Sequence, residues 1–497
     1  MKLVLFVVSV LCVTAFSDGD GTYNIYQTPE KIIADGYQCE THHVTTADGY
    51  ILEMHRIPHK LGAEQVAQDR PVVFLMHGLM SASVAYIALG AEYGFAYHLV
   101  DAGFDIWMGN ARGNKNSRHH VSLDPDDEQQ KYLFFDFSFE EIGVRDLPAM
   151  IDYVLEKTNR EQLHYIGHSQ GGTVYLVMGS MLPDYNKKIK STHLLAGVGY
   201  MEYFPNEELT QLASMSDMIY GLALQNGVVE LYPPNSTEMF PSELFPISSY
   251  RVADYCAGDI NLRHYCELLG VRHLLRATED ILDQPGAALK QIAHYGQNIR
   301  DKLFRRFHYG SHDNLEVYGS DTPPVYDLSL ITTHVTMHYT LGDILLDERD
   351  VLSMIADMPN AIARKVARDT FLHEDFVAAF DAKELVTDYI IAAINNDGVP
   401  PPTEATAPPA SPATTPSVAN DAAATAAIEV APTEANEVAA TEATQVAQTI
   451  DNEVAPTEAG LVGTSVDDAT PVPGSAHMFS AMSYTYLILV SLYVMLK

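Results

Sequence analysis

Gly167-His168-Ser169-Gln170-Gly171 is the stretch of this sequence that most plainly spells chemistry. It fits G-x-S-x-G, the pattern in which a serine sits on a sharp turn between a strand and a helix. The apolar run Leu163–Ile166 before it reads as a strand, and Thr173–Met181 after it as an apolar helix, so the context the motif requires is present. Side chains two residues either side of the serine would collide in so tight a turn, which accounts for the glycines at 167 and 171. The turn holds the serine in a strained backbone with its hydroxyl clear of the sheet. The expected chemistry is acyl transfer through Ser169.

A serine hydroxyl is a weak nucleophile and needs a base, itself oriented by an acid. In a sheet of this kind the chain order is Ser, then Asp or Glu, then His. Asp343 follows the strand-like run Thr332–Leu341 and Gly342, where the acid belongs. Asp347 and Asp350 lie in the next expected helix, and read as charge at a helix start. His373 is the histidine between Asp343 and the acidic tract that begins near Gly398, and is the expected base. His334 and His338, inside a strand, read as structural. The oxyanion hole is expected from two backbone N–H groups: Gln170, next to the serine, and Leu79, in the His77-Gly78-Leu79 loop after Val72–Met76. His77 precedes the serine in the chain and reads as structural rather than as a base. This chemistry calls for no metal and no cofactor.

The elements that must carry these residues alternate. Strand-like runs fall at Thr41–Thr45, Tyr50–His55, Pro71–Met76, Gly103–Met108 and Leu163–Ile166, with helical spacing at Val144, Leu147, Ile151 and Leu155. Such alternation implies an α/β fold with a mostly parallel sheet flanked by helices. The rhythm breaks over residues 201–322, where Met218, Ile219, Leu222 and Leu224 have near-helical spacing, and returns at Thr332–Leu341 and Ala363–Arg368. A last helix is expected at Ala382–Ile394. The expected layout is a hydrolase core, 18–200 and 323–397, interrupted by a cap of about 120 residues, 201–322, holding a helical lid over Ser169.

The 497 residues include 65 acidic and 30 basic ones, a net charge of −35. Such a balance argues against nucleic acid as a partner, because phosphate binding needs a basic surface. Hydrophobic residues make up 47%, enough for a large core. Residues 1–17 read as a secretory signal, with Lys2, an apolar run from Leu3 to Phe16, and small residues at Ala15 and Ser17; a short buried helix or a membrane anchor is the alternative. Secretion implies an oxidising compartment, in which Cys256 and Cys266 are close enough in sequence to pair and Cys39 is left over, the alternative being three buried thiols. Asn235-Ser236-Thr237 is the one N-x-[ST] sequon with a permitted middle residue, and an N-glycan is expected there.

Beyond Gly398 the composition changes to Pro, Ala, Thr and Glu, with eleven acidic residues in 398–476 and a recurring octapeptide, as in Asn452-Glu453-Val454-Ala455-Pro456-Thr457-Glu458-Ala459. Such units cannot bury enough surface to offset chain entropy. Residues 398–473 read as an extended, self-repelling stalk, O-glycosylated on its threonines or left unmodified. Residues 474–497 have small residues at Gly474-Ser475-Ala476, a short spacer and the apolar Thr485–Leu496, the layout of a GPI-attachment signal; a retained tail anchor is the alternative.

With these residues in view the chain resembles the acid lipase family, which includes gastric and lysosomal acid lipases, and most of all its insect members. The matching stretches are H-H-V-T-T-A-D-G-Y-I-L from His42, R-P-V-V-F-L-M-H-G-L from Arg70, A-G-F-D-I-W-M-G-N-A-R-G-N from Ala102, G-H-S-Q-G from Gly167, D-I-L-L-D-E-R-D-V from Asp343 and L-H-E-D-F from Leu372. They span residues 36–395. The resemblance implies an α/β-hydrolase fold, a Ser169–Asp343–His373 triad, an oxyanion hole at Leu79 and Gln170, a cap disulfide at Cys256–Cys266, and hydrolysis of neutral-lipid esters, triacylglycerols or sterol esters, beneath a cap. Met80-Ser81-Ala82-Ser83 departs from the family, which usually carries a Trp there, and the cap matches weakly, which leaves substrate choice open. The leading expectation is a secreted or cell-surface lipase acting on lipid at an interface and held to the outer membrane surface by its C-terminal anchor. The alternatives are a carboxylesterase for soluble esters, a lipid-binding or receptor protein on the same scaffold, and an adhesive surface protein whose stalk is the point.

Overall fold

A computed structural model of the chain describes residues 27–63, 69–231 and 285–399. The signal-like start, Asn235, Cys256, Cys266, the stalk and the terminal apolar stretch lie outside the described residues.

In chain order the strands are β1 (Glu40–Thr45), β2 (Tyr50–Ile57), β3 (Val72–Met76), β4 (Asp105–Gly109), β5 (His119–His120), β6 (Leu163–His168), β7 (Ile189–Leu195), the two-residue β8 (Glu230–Leu231) and β9 (Ala287–Ala288), β10 (His334–Tyr339) and β11 (Ala361–Lys365). One sheet runs β1-β2-β4-β3-β6-β7-β10-β11, with β5 paired to β2; β8 and β9 form a small sheet of their own. The β1–β2 hairpin turns at Gly49, whose φ of 98° suits glycine. From β4 onward every neighbouring pair in the path is parallel. The interior strands β3, β4 and β6 are buried at every residue, and β3 and β4 after Asp105 read as nearly continuous apolar runs, whereas β6 buries His164 and His168. This is the mostly parallel α/β sheet expected from the alternation of elements, in the α/β-hydrolase arrangement that the resemblance implies.

The parallel pairing has one consequence for chemistry. The C-terminal ends of β3, β6 and β10 lie along the same edge of the sheet, so the loops bearing Leu79, Ser169 and Asp343 emerge together, where open α/β sheets bind their ligands.

Two strands differ from their sequence signature. β7 carries Lys190, Ser191, Thr192 and His193 and shows no apolar run, yet it is buried at six of its seven positions. Its polar groups are taken up inside: the Ser191 hydroxyl meets His164 Nδ1 at 2.7 Å, and His193 Nδ1 meets His338 Nε2 at 3.1 Å. β10 was expected to alternate; after His334 it is buried throughout, because β7 and β11 flank it.

The helices that matter for the site are α1 (Leu147–Thr158) and α2 (Gln170–Met181). A π-helical turn at Ile142–Asp146 leads into α1, and a Cβ at Gly143 would come 2.8 Å from the Val174 carbonyl, so this turn and α2 approach closely. Residues 201–322 contribute α3 (Glu207–Ala213), α4 (Ser216–Gln225), α5 (Leu289–Asp301) and α6 (Ser311–Tyr318). Ala223, Val228, Leu231, Ala287 and Leu289 make a small apolar cluster of their own, and Leu79 and Met80 pack against it. The start of this segment is pinned by the buried Asp350, whose carboxylate accepts from the N–H groups of Glu202 at 3.1 Å and Tyr203 at 3.0 Å. Both aspartates read as helix-start charge lie there: Asp347 caps α7 (Glu348–Asp357) by accepting from the Arg349 N–H, and Asp350 stands in its first turn, from which it also holds the other segment.

Candidate active site

Ser169 stands between β6 and α2 with φ 53° and ψ −116°, a conformation that a residue with a side chain rarely holds. Its N–H donates to the Leu195 carbonyl at 2.9 Å, so the strained residue is tied to β7. Both elbow glycines are steric necessities. A Cβ at Gly167 would lie 2.5 Å from the carbonyl of Gly171, and one at Gly171 would lie 2.1 Å from the Met76 carbonyl oxygen. The side chain of Ser169 is half-buried, beside the loop after β3: a Cβ at Gly78 would come 3.6 Å from the Ser169 hydroxyl.

Asp343 and His373 come together as expected, with Asp343 Oδ2 2.8 Å from His373 Nδ1. Asp343 Oδ1 accepts from the N–H groups of Leu345 at 2.7 Å and Leu346 at 3.1 Å, which fixes the carboxylate plane. The carboxylate accepts a hydrogen bond from Nδ1–H, which fixes that tautomer and leaves Nε2 free to act. Nε2 of His373 is buried and has no hydrogen-bond partner among the described residues. Burial alone would depress this imidazole, but the Asp343 carboxylate outweighs it, with Glu374 adding to the effect, and the group is held up at about 8. The Asp343 turn and the His373 loop are fitted to one another. A Cβ at Gly342 would lie 2.6 Å from the Phe371 carbonyl, and the Thr340 hydroxyl donates to that carbonyl at 2.6 Å.

The loop after β3 that bears Leu79 is braced by a histidine. His77 is buried; its Nε2 accepts from the Ala111 N–H at 3.1 Å, which leaves the Nδ1 proton to donate to the Gly78 carbonyl at 2.7 Å. Burial holds His77 down at about 4, so it is neutral at working pH. Beyond Ala111 the brace continues through Arg112, a buried guanidinium bound to Asp146 at 2.7 Å and stacked 4.0 Å over Tyr50. His77 is thus structural, as read from chain order, and serves the Leu79 loop. Met80, next in the chain, has φ 52°, a strained backbone. On the far side of Ser169, the Gln170 side-chain amide donates to Gln291 Oε1 of α5 at 2.8 Å, with both side chains buried. Tyr295, a turn further along α5, donates to the Thr173 hydroxyl of α2 at 2.9 Å. Gln291 and Tyr295 carried no sequence signal, since a glutamine or tyrosine in a helix of mixed polarity says nothing of its partner. Cys39 is a half-buried free thiol pushed up to about 12 by burial and the nearby Glu40 and Glu53, and has no link to the site.

The His373 geometry carries a pH prediction. The base works only when deprotonated, so kcat/KM is expected to rise with pH to a plateau, with a midpoint near 8. In stability the sign is opposite. A histidine raised in the fold adds stability that is full below its unfolded value of about 6.5 and is lost as pH climbs through the folded value. A pH–rate profile on a dissolved ester checks this, and a midpoint below 6 would contradict it.

Two family models match this chain: a partial alpha/beta-hydrolase lipase region over residues 28–90 and the alpha/beta hydrolase fold over residues 71–231. Lipase 3 of Drosophila melanogaster is 37% identical over 382 residues, 75% of this chain and 93% of that protein. Lipase 1 of the same fly is 36% identical over 72% of this chain and 77% of its own length. Gastric triacylglycerol lipase of Rattus norvegicus is 32% identical over 73% of this chain and 90% of its own length. With the nucleophile-elbow motif on its expected turn and the Asp–His pair beside the same sheet edge, the chain belongs to the acid lipase family and is a serine ester hydrolase of the α/β-hydrolase fold.

Proposed function

We propose that this enzyme is a lipase that cleaves carboxylic ester bonds of neutral lipids, triacylglycerols or sterol esters, through an acyl-enzyme on Ser169. The observation that carries the reading is the Asp343–His373 pair at 2.8 Å with a buried, unpartnered Nε2, on the sheet edge that bears Ser169. His373 Nε2 takes the Ser169 proton as Oγ adds to the ester carbonyl. The N–H groups of Gln170 and Leu79 receive the oxyanion, each contributing roughly 3 kcal/mol to the barrier reduction. Collapse expels the alcohol, which takes its proton from His373, and water repeats the sequence to release the fatty acid. An apolar acyl chain suits the neighbourhood, since Leu79 and Met80 sit against Ala223, Leu231 and Leu289. The names of the relatives, lipases in fly and gastric triacylglycerol lipase in rat, point the same way.

The test is turnover of a triolein emulsion and of a dissolved short ester by the full-length protein and by Ser169→Ala. Wild type is expected to act on the emulsion and to accelerate once substrate exceeds its solubility, with no turnover by Ser169→Ala. Activity confined to the dissolved ester favours the carboxylesterase. Residues 201–322 are proposed as the cap that covers the site, with Cys256–Cys266 as its disulfide and an N-glycan on Asn235.

The proposed setting is the outer face of the plasma membrane, reached through the secretory pathway. An acidic stalk of this length holds an enzyme away from an anionic surface while keeping it near its substrate. Gly474-Ser475-Ala476 ahead of the apolar Thr485–Leu496 support a GPI anchor. Among the described residues no helix is long and apolar enough to cross a membrane. Phosphatidylinositol-specific phospholipase C is expected to shed the enzyme from intact cells; retention while a GPI-linked control is released would favour a tail anchor.

A further inference from the structure

The geometry points to His168 as a positioning residue: we propose that its imidazole, by holding the main-chain carbonyl of His373, sets the angle at which the base meets Ser169. The inference rests on the reading of Ser169 as nucleophile and His373 as base. The elbow demands glycine at 167 and 171 and places no such steric demand on the side chain at 168. Here that position is a buried histidine whose Nε2 lies 2.9 Å from the His373 carbonyl oxygen. A carbonyl only accepts, so Nε2 carries the proton and donates it. The two rings stand 5.3 Å apart at 47°. On its other side, Nδ1 of His168 is 3.5 Å from where a Cβ at residue 78 would be, so the ring is wedged between the base loop and the oxyanion loop.

The base loop needs such a tie because His373 belongs to no strand or helix. Three successive residues have a main-chain group held by a side chain. The Phe371 carbonyl accepts from Thr340 at 2.6 Å, the Leu372 N–H donates to Asp375 at 2.9 Å, and the His373 carbonyl accepts from His168. Thr340 belongs to the acid turn and Asp375 to the base loop's own continuation. Of the three, His168 is the one that ties the base to the strand carrying the nucleophile. A neutral donor also suits the place. His373 becomes an imidazolium during both halves of the reaction, and a fixed cation 5.3 Å away would oppose it. Burial keeps His168 below the ordinary histidine range, with neighbouring His373 pushing the same way and Glu374 opposing.

The test uses the full chain and its variants assayed on tributyrin, with melting temperatures alongside. His168→Phe keeps the bulk of the ring and removes the donor; His168→Gln returns an N–H at similar reach. If misplacing the base by about 1 Å is what the missing bond does, kcat falls about 100-fold in His168→Phe with KM unchanged. His168→Gln is then expected to recover most of that loss. A folded His168→Phe with kcat within twofold of wild type overturns the proposal, as does a His168→Gln no faster than His168→Phe. Should the phenylalanine variant fail to fold, His168→Met against His168→Gln decides the same question with unbranched side chains. Ser169→Ala in the same assay separates the two levels: turnover surviving there removes the triad reading itself, whatever His168 does.

Discussion

Ser169→Ala is expected to lose ester hydrolysis by several orders of magnitude, and His373→Ala nearly as much, because the parts of a triad act as a unit and removing one strands the others. In such triads single losses reach roughly 10⁴- to 10⁶-fold in kcat. The geometry here separates the members further. Asp343 does two jobs: Oδ2 orients His373, and Oδ1 holds the Leu345 and Leu346 N–H groups. Asp343→Ala therefore loses both orientation and loop anchoring. Asp343→Asn can keep one carbonyl oxygen on the loop amides while presenting its NH₂ to His373, which forces the wrong tautomer and costs about 10⁴-fold without unfolding the turn. Asp343→Asn is thus expected to match wild type in melting temperature more closely than Asp343→Ala does, at comparable activity loss. Kinetics on an emulsion and on a dissolved ester, with thermal melts of each variant, measure both quantities. Near-wild-type turnover by a folded His373→Ala protein would remove His373 as the base.

The legible parts of this molecule are those where one physical constraint acts on adjacent residues. A strand buried on both faces is largely apolar, so β3 and most of β4 stood out, and the elbow glycines were dictated by collisions of residue 167 with residue 171 and of residue 171 with Met76. The acid and the base were reachable because topology orders them after the serine. What was hidden depends on partners far away in sequence. β7 was missed because its buried polar residues are satisfied by β6 and β10, a fact that composition cannot carry. The second role of Asp350 was hidden because its donors, the amides of Glu202 and Tyr203, lie nearly 150 positions back. His168 lay inside the motif, but the motif speaks of the turn and not of the carbonyl 205 residues on that the ring would hold. Gln291 reaches Gln170 from a helix whose sequence gives no sign of a catalytic neighbour.

Two glycines at the same site should fail in different ways when changed to alanine. Gly171→Ala puts a methyl group 2.1 Å from the carbonyl oxygen and 2.8 Å from the carbonyl carbon of Met76. Those atoms are backbone, and β3 is paired to β4 on one side and β6 on the other, so the strand has nowhere to go. Either α2 lifts off the sheet or the elbow opens, and overpacking against rigid backbone costs about 3 kcal/mol or more. Gly171→Ala should therefore lose stability and activity together, seen as a clearly lowered melting temperature or no soluble protein. At Gly78 the methyl group would meet Ser169 Cβ at 3.2 Å, His168 Nδ1 at 3.5 Å and Ser169 Oγ at 3.6 Å. None of these is backbone, and a shift of a few tenths of an ångström relieves the contact, so the fold survives. The methyl group nonetheless stands against the hydroxyl that must reach an ester carbonyl, and displacement on that scale at a reacting atom costs about 10- to 100-fold in kcat/KM. Gly78→Ala should keep its melting temperature within a few degrees of wild type and lose activity, so melting temperature and kcat/KM measured on the two variants must diverge. A stable, active Gly171→Ala would mean that the elbow does not pack on β3 as described, and a fully active Gly78→Ala would detach the loop of Leu79 from the reacting hydroxyl.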